Sequence, residues 1–260
     1  SVAQHLQQAS TPVIVRLSDS TGLPTIPDTD PNANPKGMAV RFMLGDRVHT
    51  DIVSHSTDGF PARTGEEFLG FLHALATSDP ANLSGSPLEA FLGSHPATLR
   101  FVQTPKPSPA SFAQESYFGV TAMKFTNAAG VSKFGRYRII PEAGSEYLDD
   151  SALATKDGDY LFTELAARIA AGPVRFTLSV QVAQDGDVVD DATIAWPADR
   201  EIVALGTLEL TAPVADDAAE QKHIIFDPIP RLAGIEPSGD PLLELRAAIY
   251  LLSGRKRRAA

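Results

Sequence analysis

The chain of 260 residues contains no cysteine. Disulfides, thiolate ligation of iron, iron–sulfur clusters and cysteine-based peroxide chemistry are all excluded by that absence. The compartment stays open, because a thiol-free protein tolerates oxidising and reducing surroundings alike. No apolar run reaches 18 residues, so no transmembrane helix is expected. No basic-then-apolar start precedes the first strand pattern, so the sequence as it stands carries no secretory signal. It opens on Ser1 without a methionine, as a mature or trimmed form would. A soluble protein of the cytoplasm or periplasm is expected. Positive charge is also short: 22 basic against 32 acidic residues leave a net charge of −10, which argues against nucleic-acid or anionic-membrane partners. No strand pattern runs into a glycine-rich phosphate loop, so neither dinucleotide nor P-loop chemistry is indicated. Internal repeats and low-complexity segments are absent.

What is present is an ordinary apolar fraction of 43%, enough for a sizeable core. Alternating β-branched patterns predict strands at residues 11–18, 37–44 and 48–54, with a tight turn at Gly45 and Asp46. A polar, proline-rich loop is expected between Asp19 and Pro35. Thr64 and Glu67 form a capping-box pattern ahead of a helix whose apolar face would be Phe68, Phe71, Leu72 and Leu75. Residues 79–109 read as short helix and loop. Strands over 117–126 and 132–140 flank a turn at Asn127 and Gly130, and a helix over 157–171 stops at Gly172 and Pro173. Strands over 174–183 and 206–211 complete the set. Hairpins with inserted helices predict an α+β fold whose antiparallel sheet, of roughly eight strands, can close into a barrel around one ligand.

Near the C-terminus lies a short helical pattern carrying Arg246 and Tyr250. A separation of four places both side chains on one helical face. An arginine beside a phenol favours the phenolate through charge and hydrogen bonding. A phenolate is a hard anionic donor suited to ferric iron. Basic residues follow at Arg255, Lys256, Arg257 and Arg258, where they would also suit a helix C-terminus.

The segment Phe226, Asp227, Pro228, then Gly234 to Ser238, ending in the Arg246/Tyr250 helix, resembles the proximal haem segment of the catalase superfamily. Residues 11–18 are similar to that family's T-P-x-x-V-R-F-S strand, residues 35–42 to its R-G-F-A-V-K-F strand, and residues 51–55 to its D-L-V-G-N segment. The hairpin around Asn127 and residues 160–182 follow in the family's order. The resemblance spans nearly the whole chain, and it implies one catalase-like haem-binding core domain over residues 1–260, an antiparallel eight-stranded β-barrel with inserted and C-terminal helices. It implies ferric haem b, with Tyr250 as the iron ligand and Arg246 holding it as phenolate. Arg16 and Arg257 would meet the haem propionates, Ser18 would lie near the distal pocket, and Phe60 and Phe68 would line the distal side.

Two departures from the family stand out. His55 occupies the place of the distal asparagine, and a histidine can exchange protons where an asparagine cannot. The family's distal histidine belongs to a V-H-A-x-G motif upstream of the first strand; either that motif is expected to precede Ser1, or His55 substitutes for it. His5 falls in the connecting helix and is expected to be exposed. The chain is most similar to the minimal, catalase-related peroxidases. The resemblance therefore implies reduction of hydrogen peroxide or organic hydroperoxides by a small reductant, with weak or no dismutation, and leaves room for a homo-oligomer. A fatty-acid hydroperoxide isomerase and a non-catalytic haem-binding protein are the competing readings.

Overall fold

The computed structural model describes residues 1–19, 23 and 25–259; part of the loop expected after Asp19 lies outside the described residues. Three strands open the fold: β1 (Val13–Asp19), β2 (Lys36–Gly45) and β3 (Val48–His55). The β2–β3 hairpin turns one residue later than expected. Arg47, with φ 57°, takes the left-handed position, and Gly45 still pairs with Val48. Helices α1 (Gly65–Ala76), α2 (Pro87–Ser94) and α3 (Pro96–Gln103) follow, then β4 (Tyr117–Phe118), β5 (Met123–Thr126) and β6 (Ser132–Pro141). Next come α4 (Asp150–Leu153), α5 (Tyr160–Ala171), β7 (Val174–Val182) and β8 (Ile202–Leu210). α6 (Asp217–His223), β9 (Ile235–Pro237) and α7 (Leu242–Ala259) close the chain. Among the described residues no helix is long and apolar enough to cross a membrane.

The strands form one antiparallel sheet in the order β1-β2-β3-β4-β6, continuing through β7 to β8 on one side and through β5 to β9 on the other. Its concave face carries the core: Val40, Phe42, Ile52, Tyr117, Ile139, Phe176 and Leu178. Val13, Val15 and Leu17 of β1 pack on the same cluster as Leu205 and Leu210 of β8, so the two ends of the ladder curl toward one core. A fully buried apolar side chain contributes about 1.5–3 kcal/mol, and this cluster is where most of that burial is concentrated.

The expected single strand over 117–126 is instead two. Tyr117 and Phe118 pair with Ile139 and Arg138, and pairing resumes only at Met123 opposite Gly135. Four residues on one side thus face two on the other, which forces the chain out of register. Gly119 still donates its N–H to Tyr137 O (2.9 Å), and a β-carbon there would stand 3.1 Å from Tyr137 Cβ.

The Thr64 cap forms as expected, with its hydroxyl accepting from Glu67 N (3.2 Å). The Glu67 carboxylate, however, accepts from Arg63 N rather than from Thr64. On α1 the buried face is Phe71 and Ala74, with Phe68 half-buried against α2; Leu72 and Leu75 point to solvent, because α2 covers α1 from one side only. The helix expected from residue 157 starts at Tyr160, and β8 begins earlier than 206, at Ile202. α7 runs past Gly254 through the basic residues to Ala259, which form its last turn. Gly254 is where the helix approaches Ile225: a β-carbon there would lie 2.3 Å from Ile225 Cδ1.

One ion pair ties the sheet to the C-terminal segment. Arg41 on β2 grips Asp51 on β3 through two bonds (2.9 and 2.7 Å), and the Asp51 carboxylate is fully buried. Asp51 also accepts from Asp227 N (2.7 Å), while Arg41 donates to Ile225 O. Removing one partner of a buried pair leaves an uncompensated charge, a cost of about 3–5 kcal/mol. Asp51→Ala is therefore expected to lower unfolding free energy by about that amount, measured by urea denaturation. A loss below about 1 kcal/mol would show that Arg41 finds an adequate partner elsewhere.

Candidate functional site

In antiparallel ladders, residues directly opposite one another point to the same face. Ser18 pairs with Gly37, Gly37 with His55, and His55 with Phe118, so these four form one row across β1 to β4. Arg16, Ala39 and Val53 form the next row on the same face, away from the main core. Small residues on β2 leave space in both rows. At Gly37 that space is already taken, since a β-carbon would meet Ser18 Oγ at 2.8 Å.

Over this face runs α7. Arg246 Nε donates to the Tyr250 hydroxyl oxygen at 3.1 Å, one helical turn away, with its guanidinium carbon 5.6 Å from the ring centre. Tyr250 lines a cavity of about 300 Å³ together with Arg16, Val53, Ile224, Phe226 and Arg257. Three residues expected to act together on one cofactor, Arg16, Tyr250 and Arg257, are thus brought to one space from β1 and from two turns of α7.

Arg16 is exposed by area, yet its guanidinium is crowded by protein where it lines this cavity. Burial lowers its pKa, opposed by the Tyr250 oxygen and reinforced by the positive charge of Arg257. The Arg16 guanidinium lies 5.2 Å from the Phe226 ring centre, and Arg41 lies 5.3 Å from the same ring. Arg257 is held firmly by bonds to Gln221 O (3.0 Å), Ile224 O (2.6 Å) and Ser253 Oγ (3.0 Å).

His55, at the end of β3, is partly exposed as a residue, but its ring nitrogens are turned inward. Its Nδ1 accepts from Thr57 N at 3.3 Å, while Nε2 is buried with no hydrogen-bond partner. An unpartnered buried polar atom is costly in a native protein. Burial, with the positive charge of Arg246 adding to it, drives the His55 pKa down to about 3. The ring is therefore neutral across the physiological range. Phe60 follows at 6.3 Å between ring centres, and Phe68 at 5.1 Å from Phe60, so the two phenylalanines extend from His55 into the α1–α2 packing. Ser18 shares the His55 row but is separated from it by Gly37.

His5 corrects an expectation: it is buried rather than exposed. Its ring packs on Phe42 at 4.6 Å, neither ring nitrogen has a partner, and burial lowers its pKa to about 4. The 3₁₀ turn carrying it, Gln4–Leu6, lies against the outer end of β2, which a period-based reading of the isolated segment does not show. Five contributors to the cavity, Val53, Gln221, Ile224, Ile225 and Ser253, were not singled out from the sequence. Val53 could have been found from its position two before His55 on one strand; Ile224 and Gln221 come from α6 and its end, and only the tertiary contact reveals them.

The catalase family model matches residues 1–260, and the chain belongs to the catalase family. It is 35% identical over 260 residues to a catalase-related peroxidase of Mycolicibacterium paratuberculosis, covering 99% of this chain and 81% of the relative. It is 34% identical to a catalase-related peroxidase of Synechococcus elongatus, covering 95% of this chain and 74% of that one. Among solved structures it resembles catalase A from Saccharomyces cerevisiae, with a TM-score of 0.84 at 21% identity, and a fungal catalase, with 0.83 at 22%. These cover 98% of this chain but 56% and 54% of the solved chains, so it spans about half the length of those catalases. The α+β architecture, an antiparallel sheet with inserted and C-terminal helices, is therefore the catalase one.

The histidine environment has a measurable consequence. Folded His55 titrates near 3 against an ordinary 6.5, so below pH 6.5 the unfolded chain takes up a proton that the folded chain refuses. Stability should fall as pH drops from 6.5 toward 3, by about 1.4 kcal/mol per unit for such a group. His5 adds the same sign down to about 4. Urea unfolding of the haem-free chain at pH 7.5 and 5.0 should show His55→Asn losing less stability than the parent. Parallel losses would mean that His55 is not the group taking up the proton.

Proposed function

We propose that residues 1–260 form the haem-binding core of a peroxidase that reduces hydrogen peroxide or organic hydroperoxides at the expense of a small reductant, with weak dismutation. The observation that carries this reading is the Arg246–Tyr250 contact opening on the cavity that Arg16 and Arg257 also face. Family membership supports it, as do the names of the two catalase-related peroxidases.

The donor set fits ferric haem b. Tyr250 offers a hard oxygen donor, and the guanidinium of Arg246 at 3.1 Å stabilises negative charge on that oxygen. Arg16 and Arg257 would neutralise the two carboxylate substituents, and Val53, Ile224 and Phe226 would give the macrocycle an apolar wall. Bound haem would supply the redox centre at which the peroxide O–O bond is broken and electrons are received. The polypeptide's own part is to hold, orient and exclude.

His55 has a distinct part. Thr57 N–H holds the ring through Nδ1, which puts the ring proton on Nε2, and this unpartnered Nε2–H can donate a hydrogen bond to a peroxide oxygen. A base titrating near 3 is poorly matched to full proton transfer at neutral pH. We infer that His55 orients the peroxide more than it deprotonates it, consistent with slow rather than catalase-like turnover. Phe60 and Phe68 keep that side apolar.

The test is a haemin titration. A ferric spectrum of the tyrosinate type is expected, and Tyr250→Phe should lose haem or change that spectrum; an unaltered spectrum in the variant refutes the ligand assignment. In assays with cumene hydroperoxide and a dye reductant, His55→Ala should raise KM for the peroxide by about tenfold, as expected for one lost hydrogen bond to substrate. If kcat falls instead with KM unchanged, His55 acts as a base in the rate-limiting step rather than as an orienting group.

A further inference from the structure

A second cavity, of about 340 Å³, lies between β1, α5, the end of β8 and α6. It shares Arg16, Gln221, Ile224 and Phe226 with the Tyr250 cavity, so one set of side chains walls both. Its sides are apolar: Phe162, Leu165 and Ile169 from α5 face Leu210 and Val214. Phe162 is 46% exposed and meets the Phe112 ring edge-on at 5.0 Å between centres. Its rim is acidic, with Glu209, Asp217 and Glu220. Glu209 is paired with Arg175 at 2.7 Å and Asp217 accepts from the Gln221 amide at 2.6 Å; among the described residues Glu220 has no ion-pair partner. Among the described residues Arg16 is the groove's one lining cation, and it also lines the Tyr250 cavity.

We propose that this groove binds the electron donor and that the donor is a small aromatic amine bearing positive charge. The inference rests on the peroxidase reading above. A volume near 340 Å³ suits a molecule of one or two rings. Apolar and aromatic walls favour a flat ring, and a carboxylate rim in a protein of net charge −10 attracts a cation while repelling a fatty-acid carboxylate or a sulfonated dye. The groove also reaches the cofactor cavity at Arg16 and Phe226, one row removed from His55, so donor and peroxide need not compete for one place. The reaction balances as ROOH + 2 AH → ROH + H2O + 2 A•. The O–O bond breaks, one oxygen leaves in the alcohol and the other in water, and each donor gives up one electron and one proton.

The experiment uses a phenylenediamine with a fixed trimethylammonium group as probe and a sulfonated dye as its anionic counterpart. Binding is followed by calorimetry on the full chain, with and without haemin, and turnover with cumene hydroperoxide. Ala166→Trp, on the exposed side of α5, fills the groove, and Glu220→Gln removes one rim charge. Expected is a rise of about tenfold or more in Kd and donor KM for Ala166→Trp, and of about threefold to fivefold for Glu220→Gln, with the hydroperoxide KM unchanged. Preference for the anionic dye, or probe binding indifferent to both variants, overturns the proposal. So does a rise in hydroperoxide KM in place of donor KM, which would make the groove a peroxide channel. If the chain takes up no haemin yet binds the probe with the same dependence on both variants, the peroxidase reading fails while the groove's preference for a cationic ring stands.

Discussion

The Asp51 carboxylate is the point on which the arrangement depends. It is fully buried, gripped by both arms of Arg41, and caps the Asp227 N–H at 2.7 Å. Arg41 in turn reaches the carbonyl of Ile225, the residue that α7 meets at Gly254. A hairpin early in the chain is thereby joined to a segment more than 170 residues later. A buried ion pair adds little net stability compared with an apolar replacement, but its directional bonds admit few alternative geometries. That directionality, more than the burial, holds α7 over the rows that carry Arg16, Val53 and His55.

The cavity so formed is electrostatically opposite to the molecule. The chain bears a net charge of −10, yet Arg16, Arg246 and Arg257 converge around one phenol. Cations crowded together in partly dehydrated space repel one another, and the lowered pKa of Arg16 records both burial and that repulsion. Such an arrangement is stable when anionic groups share the space. The proposed cofactor would bring two carboxylates to it. On the same sheet face, His55 stays neutral, with Nδ1 held by Thr57 N and Nε2 left without a partner.

Much of this was legible from local pattern. The Thr64 cap, the Asn127 turn with Gly130 at φ 78° and the β1–β2–β3 meander depend on residues close in sequence, and they formed where expected apart from the one-residue shift of the β2–β3 turn. The misreadings share a different cause. The break between Phe118 and Met123 exists because β6 offers too few partners, which no alternation within 117–126 reveals. His5 was read as exposed from its place in the family's connecting helix, but Phe42 covers it. Leu72 and Leu75 fit the apolar period of α1, but α2 lies on the other side. The close approach of Gly254 to Ile225, within a continuing helix, is likewise a tertiary contact.

The sequence by itself determined which elements form and which residue types were available to them. A spacing of four sets Arg246 and Tyr250 on one face of any helix, and alternation sets Arg16 and Ser18 on one face of any strand. It also determined the absence of thiols and the excess of acid. Only the tertiary structure decided that Arg16 and Tyr250 line the same cavity, that His55 Nε2 is left without a partner, and that a second groove meets the first at Phe226. The reason is physical: distances along a helix or strand are set by backbone geometry, whereas distances between elements are set by packing and by a few directional bonds such as those of Asp51, and neither is written in any local window.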